Sequence, residues 1–138
     1  KDGGKIGLPE VGLGVLPGTG GTQRLPRIIG KAQAIELMVT GRTFGFEEAR
    51  EMGLVNAIFK ADGFREQVKE YARAFAPPNK AAKAVGHIKR CVQSGLEASF
   101  GDGLAIEREL QQILFQSEDA KEGISAYTEK RTAKFSGD

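Results

Sequence analysis

The chain has 138 residues, 40% of them hydrophobic, which suits one domain or part of one and excludes wholesale disorder. Twenty Lys and Arg against eighteen Asp and Glu leave a net charge of +2, which argues against a strongly electrostatic nucleic-acid binder. The single cysteine, Cys91, and single histidine, His87, exclude an intrachain disulfide and a Cys-rich or multi-His metal site; no apolar run reaches the length of a membrane span. The first residue is Lys1 rather than Met, so 138 residues are not expected to be the whole natural length.

In chain order, eight of the nineteen glycines lie between Gly3 and Gly21, and Pro9, Pro17 and Pro26 lie in the first 26 residues. Glycine and proline are the poorest helix formers, so this stretch is expected as short extended pieces joined by tight turns. From Gly30 the pattern becomes helical. Lys31 to Thr40 places Ala34, Leu37 and Met38 on one face and stops at Gly41. Phe46 to Met52 reads as a short helix ending at Gly53, and Leu54 to Phe59 as a short strand. Phe64 to Phe75 forms a third helix closed by Pro77-Pro78. A fourth starts from an Asn79 cap and runs to about Ser94. Leu96 to Gln116 is the longest, and Glu118 to about Arg131 the last. From Lys60 onward lie 13 of the basic and 12 of the acidic residues, a mixture expected on solvated helix faces.

Gly18-Thr-Gly-Gly-Thr22 invites a phosphate-loop reading, which its neighbours refuse. A Walker loop requires Gly-Lys-Ser/Thr, and here Gly21 precedes Thr22-Gln23. A dinucleotide fingerprint from Gly18 meets Gln23 where glycine is required, and one from Gly12 meets Pro17. Close packing or positive φ explains the glycines equally well.

Glu10 is the only ionisable residue between Ile6 and Gln23. A buried carboxyl with few polar neighbours favours its protonated form, which suits proton delivery near neutral pH. An exposed turn carboxylate, or an ion pair with Arg24 or Arg27, fits the same residues. His87 and Cys91 share a face of one helix, but no orienting group or oxyanion motif accompanies them, so neither is read as catalytic.

The stretch from Ile6 to Arg27, Ile-Gly-Leu-Pro-Glu-Val-Gly-Leu-Gly-Val-Leu-Pro-Gly-Thr-Gly-Gly-Thr-Gln-Arg-Leu-Pro-Arg, closely resembles the signature of enoyl-CoA hydratases of the crotonase superfamily. The resemblance continues through Glu36-Leu37, Thr40-Gly-Arg42, Glu48-Ala49 and Gly53-Leu-Val-Asn56. It resumes at Ser117-Glu-Asp-Ala-Lys-Glu-Gly123, Ala126-Tyr-Thr-Glu-Lys-Arg131 and Phe135. Between about Gly63 and Phe115 it holds in helical layout more than in letters.

The resemblance implies an α/β fold class. Residues 1–60 would be the end of a crotonase-type ββα spiral, carrying the Leu-Pro-Glu and glycine-rich motifs. Residues 61–138 would be a mostly helical region for trimer assembly and active-site covering. It implies a hydro-lyase that adds water across the 2,3 double bond of an enoyl-CoA through an enolate held by two backbone N–H groups. Glu10 falls on the glutamate that delivers a proton to the α-carbon. Tyr127 and Lys130 fall on positions that approach the adenine and phosphate end of CoA, with Arg131 and Lys134 as rival cations. No cofactor and no metal are implied beyond the CoA substrate, and a homotrimer or dimer of trimers is expected.

The family's other glutamate and both oxyanion donors belong to motifs that this sequence does not contain. One oxyanion donor alone is worth about two to three orders of magnitude in rate, so these residues by themselves are expected to be inactive, the C-terminal half of a hydratase. An enoyl-CoA isomerase or another crotonase-type enzyme is the alternative within the superfamily. A non-catalytic helical oligomerisation module is the alternative of another class. A bacterial cytoplasm or a mitochondrial matrix would suit the chemistry.

Overall fold

A computed structural model describes residues 4–138; the first three residues of the expected 1–60 segment lie outside the described residues. The chain forms two compact units, one running through Phe64 and the other from Arg65 onward.

In the first unit, a 3-10 turn at Glu10–Leu13 precedes helices α1 (Gly21–Ile29), α2 (Lys31–Thr40) and α3 (Phe46–Glu51). Helix α1 departs from the sequence expectation. Proline inside a helix loses a backbone hydrogen bond, at a cost of about 3 kcal/mol in a helix interior. Pro26 nevertheless lies within α1, and Gly30 N–H closes the helix on Pro26 O at 3.0 Å. What offsets Pro26 is packing: Leu25 and Ile29 of α1 lie against a core of Leu37, Phe44 and Ala49, joined by Ile6, Met52, Leu54 and Val55. Gly21 admits the close approach this requires, since a Cβ there would stand 2.8 Å from Pro17 Cβ.

Helix α2 spans the residues its periodicity predicts, with Ala34 and Leu37 buried. The expected strand at Leu54 to Phe59 does not form. Leu54 and Val55 N–H instead both donate to Ala49 O, at 2.8 and 3.3 Å, wrapping the segment around the end of α3. Without a partner strand, an apolar run gains nothing from extension. Among the described residues the nearest approach to a sheet is an isolated antiparallel bridge, in which Ile6 and Phe44 exchange N–H···O bonds at 2.9 Å. Beside it, Arg42 lies 5.8 Å from the centre of the Phe44 ring and pairs with Glu48 at 2.6 Å.

The second unit contains α4 (Phe64–Arg73), α5 (Ala82–Gly95), α6 (Phe100–Phe115) and α7 (Glu118–Thr128). Asn79 does not cap α5, whose N-cap is Ala81; its Nδ2 donates to Arg73 O at 3.1 Å and so closes α4. Ser99 and Ser117 cap α6 and α7 by accepting from Asp102 and Ala120 N–H, at 3.2 and 3.1 Å. The expected long helix from Leu96 therefore begins only after Ser99.

Two carboxylates hold the C-terminal tail on this unit: the half-buried Glu122, which accepts from Lys134 N–H at 2.9 Å, and the buried Asp119. Asp119, 3% exposed, accepts from Ser136 and Gly137 N–H at 2.7 and 2.9 Å. Phe135 N–H reaches Pro78 O at 3.2 Å. Among the described residues no helix is long and apolar enough to cross a membrane.

Candidate functional site

Glu10 opens the 3-10 turn directly after Pro9. Gly12 N–H donates to Pro9 O at 3.0 Å and Val15 N–H to Glu10 O at 3.2 Å, so both sides of the turn are tied down. Gly41, the C-cap of α2, packs against it. Gly41 has φ +62°, and a Cβ there would lie 3.0 Å from Val11 Cγ1 and 3.5 Å from Pro9 Cα. The backbone under Glu10 is thus seated on the end of a helix by a residue where even a Cβ would be tightly crowded.

The Glu10 carboxyl is half-buried, and its Oε2 is buried with no hydrogen-bond partner among the described residues. The ion-pair reading is not supported. Arg24 Nη1 donates to Thr19 O at 3.0 Å, and Arg27 Nη1 donates to Gln23 O at 2.9 Å. Buried polar atoms almost always find a partner, and the exceptions in native proteins call for an explanation. No protein donor among the described residues commits that oxygen, and the residue as a whole is only half-buried.

An apolar cavity of about 220 Å³ lies in the same unit, between α1 and the Ile6–Phe44 bridge. Ile6, Leu8, Leu25, Ile28 and Phe44 line it, and Glu10 does not.

Tyr127 and Lys130 belong to the second unit, where the structure brings them together at the end of α7. Lys130 N–H donates to Tyr127 O at 3.2 Å, the Tyr127 ring is 88% exposed, and Lys130 has φ +56°. Of the three neighbouring cations, Arg131 is already committed. Its Nη1 and Nη2 fork onto Glu122 at 2.6 and 2.8 Å, and its Nε donates to Glu129 at 2.6 Å. That fork, helped by Lys134 N–H at 2.9 Å, holds the Glu122 carboxyl down to about 2. Hydrogen bonds from Arg131 and then Ser125 likewise lower Glu129. Lys130 makes no ion pair among the described residues.

Sequence reasoning missed Glu122 and Asp119. Their partners lie nine to eighteen positions away, beyond any helical spacing rule. His87 and Cys91 line a groove of about 280 Å³ between α5 and α6, and His87 Nδ1 is buried without a partner. Among the described residues no three His, Cys, Asp or Glu side chains gather as a metal site.

Comparison with known proteins bears on both regions. The sequence model of the family described as enoyl-CoA hydratase/isomerase matches residues 1–138. A protein of Rhizobium meliloti named as a probable enoyl-CoA hydratase is 42% identical over 131 residues, 95% of this chain and 50% of its own length. The short-chain-enoyl-CoA hydratase of Clostridioides difficile is 41% identical over 123 residues, 89% of this chain and 78% of its own. The crystal structure of the Geobacillus kaustophilus protein described as "Enoyl-CoA hydrates" superposes with a TM-score of 0.88 at 50% identity, over 98% of this chain and 50% of that one. The chain therefore has the fold of the matching half of that structure, and it spans about half the length of most curated relatives it matches.

Proposed function

We propose, starting from the fact that this chain belongs to the enoyl-CoA hydratase/isomerase family, that it is the C-terminal part of an enzyme that hydrates the 2,3 double bond of an enoyl-CoA thioester. In that reaction a water oxygen bonds to C3 as one of its O–H bonds breaks and the proton passes to the water-activating base, and the π electron pair moves onto the thioester oxygen as an enolate. The carbonyl then re-forms as C2 takes a proton. Glu10 delivers that proton. The single observation carrying this role is the buried, unpartnered Oε2 of a carboxyl fixed on a rigid turn. The resemblance assigns water activation and the oxyanion donors to segments outside these 138 residues. The proton transfers need no cofactor beyond the thioester itself.

Tyr127 and Lys130 receive the nucleotide end of the CoA. An exposed aromatic ring one turn from an unpaired ammonium suits a base and its neighbouring phosphate. The test of the central claim is Glu10→Gln in the complete enzyme, which keeps the shape and removes the titratable proton. Hydration of a short enoyl-CoA should lose about 100-fold or more in kcat with KM little changed. An unchanged kcat would sink the assignment.

A self-association role for the second unit is favoured by one observation. Leu96, just after α5, and Phe100, the first residue of α6, are 78% and 83% exposed. Large apolar side chains grouped on a surface mark interaction sites, and a homotrimer or dimer of trimers would cover them. Sedimentation of Leu96→Asp should show smaller particles than the parent protein. If assembly were the chain's only role, Glu10→Gln would leave hydration intact.

A further inference from the structure

Lys130 is the only non-glycine residue with positive φ among the described residues, at +56°. L-residues avoid this region, so their surroundings must hold them there. What holds Lys130 is the residue that follows it. Arg131 N–H donates to Ala126 O at 3.0 Å, and its side chain reaches back along α7 to fork onto Glu122. Glu129, on the other side of Lys130, accepts from Arg131 Nε. Glu122 also accepts from Lys134 N–H, so the chain beyond Arg131 is drawn to the same carboxylate. The turn is thereby clamped on both sides of Lys130.

The clamp has an electrostatic consequence as well. Two carboxylates face the one guanidinium, so Arg131 offers little net attraction for an anion. Lys130 and Lys134 keep ammonium groups without an ion pair among the described residues, and of the two Lys130 is the one that lies one turn from the exposed Tyr127.

We propose that Glu122 and Arg131 are positioning residues for the phosphate-bearing nucleotide end of the acyl-CoA, acting through the turn that presents Lys130 and Tyr127. This rests on the reading that Lys130 and Tyr127 meet that end. Sign separates positioning from a simple field effect. Glu122→Gln removes a negative charge, so a field effect alone would tighten binding of a polyanion. Loss of positioning weakens it. Arg131→Lys keeps the charge but loses the planar fork, so it tests geometry at constant charge.

The test uses the complete enzyme with two substrates: a short enoyl-CoA, and the matching enoyl-pantetheine, which lacks the nucleotide and its phosphates. Glu122→Gln and Arg131→Lys should each raise KM for the enoyl-CoA about twofold to fivefold, the range of a partly exposed ionic contact. The kcat value should stay unchanged, as should kcat/KM for the enoyl-pantetheine. Glu118→Gln, the same change of charge elsewhere on α7, should do neither. If Lys130→Ala raises KM for the enoyl-CoA while Glu122→Gln and Arg131→Lys leave it alone, positioning is wrong and the nucleotide reading stands. If Lys130→Ala itself changes nothing, the nucleotide reading falls and the proposal with it. If both substrates suffer alike in Glu122→Gln, the pair only stabilises the fold and the proposal is overturned.

Discussion

Replacing Gly41 by alanine tests whether the backbone under Glu10 is seated on the end of α2. Two effects combine at this position. The first is conformational: φ is +62°, where a Cβ costs about 1–2 kcal/mol. The second is contact: the added Cβ would stand 3.0 Å from Val11 Cγ1, inside the usual carbon separation of about 3.5–4.0 Å. The Val11 side chain must then give by about a few tenths of an ångström, and it belongs to the same 3-10 turn as Glu10.

Gly53 supplies the control. Its φ is +76°, and an added Cβ there meets nothing within 4 Å. Gly41→Ala and Gly53→Ala should therefore lose similar stability, about 1–2 kcal/mol each in urea unfolding. Only Gly41→Ala should also lose hydration rate in the complete enzyme. Misplacement by 1 Å costs about 100-fold, so a shift of about 0.3 Å should cost about fourfold in kcat. Equal activity in the two variants would refute the mechanical link between Gly41 and Glu10, whatever their stabilities.

Two further outcomes follow from the tail. Glu122 is held down to about 2 by the Arg131 fork and then by Lys134 N–H, so it stabilises the tail fully above its ordinary value near 4.5 and progressively less as pH falls toward 2. The Lys134 amide resonance should titrate with a midpoint near 2; a midpoint near 4.5 would show that the pair is absent in solution. Asp119→Asn replaces one of the two accepting oxygens with an NH2 that cannot accept from a backbone N–H, so one of the two tail contacts is lost. It should cost about 1–3 kcal/mol and expose Ser136 and Gly137 to carboxypeptidase, whereas an undigested tail would contradict the anchoring role.

How much of this was legible in the sequence follows from the range over which each contact acts. Helix α2, ending at Gly41, and helix α7, starting at Ser117, are specified by periodicity and caps within one or two turns. Glu10 stood out because its neighbours are apolar or glycine, and its motif carries the family resemblance. Helix α1 did not stand out. Local propensity opposes Pro26, and only the packing of Leu25 and Ile29 into the core outweighs it. The Leu54–Phe59 run misled in the opposite sense, because an apolar alternation needs a neighbouring strand and this segment wraps around α3 instead.

The choice among Lys130, Arg131 and Lys134 lay beyond the sequence for a related reason. All three carry the same charge on adjacent stretches of chain, and nothing in their order distinguishes them. The return of the chain after α7 commits Arg131 to Glu122, while the ammonium groups of Lys130 and Lys134 stay without an ion pair among the described residues. The sequence by itself determined which carboxylate to examine, the family signature around it and the helices whose hydrogen bonds close within a turn. Tertiary structure alone decided which oxygen of Glu10 is left without a partner, which cation is withdrawn into an ion pair, and what holds the turns that carry Glu10 and Lys130. Those depend on groups brought together by packing, and hydrogen bonds and charges act over ångströms in space whatever their separation along the chain.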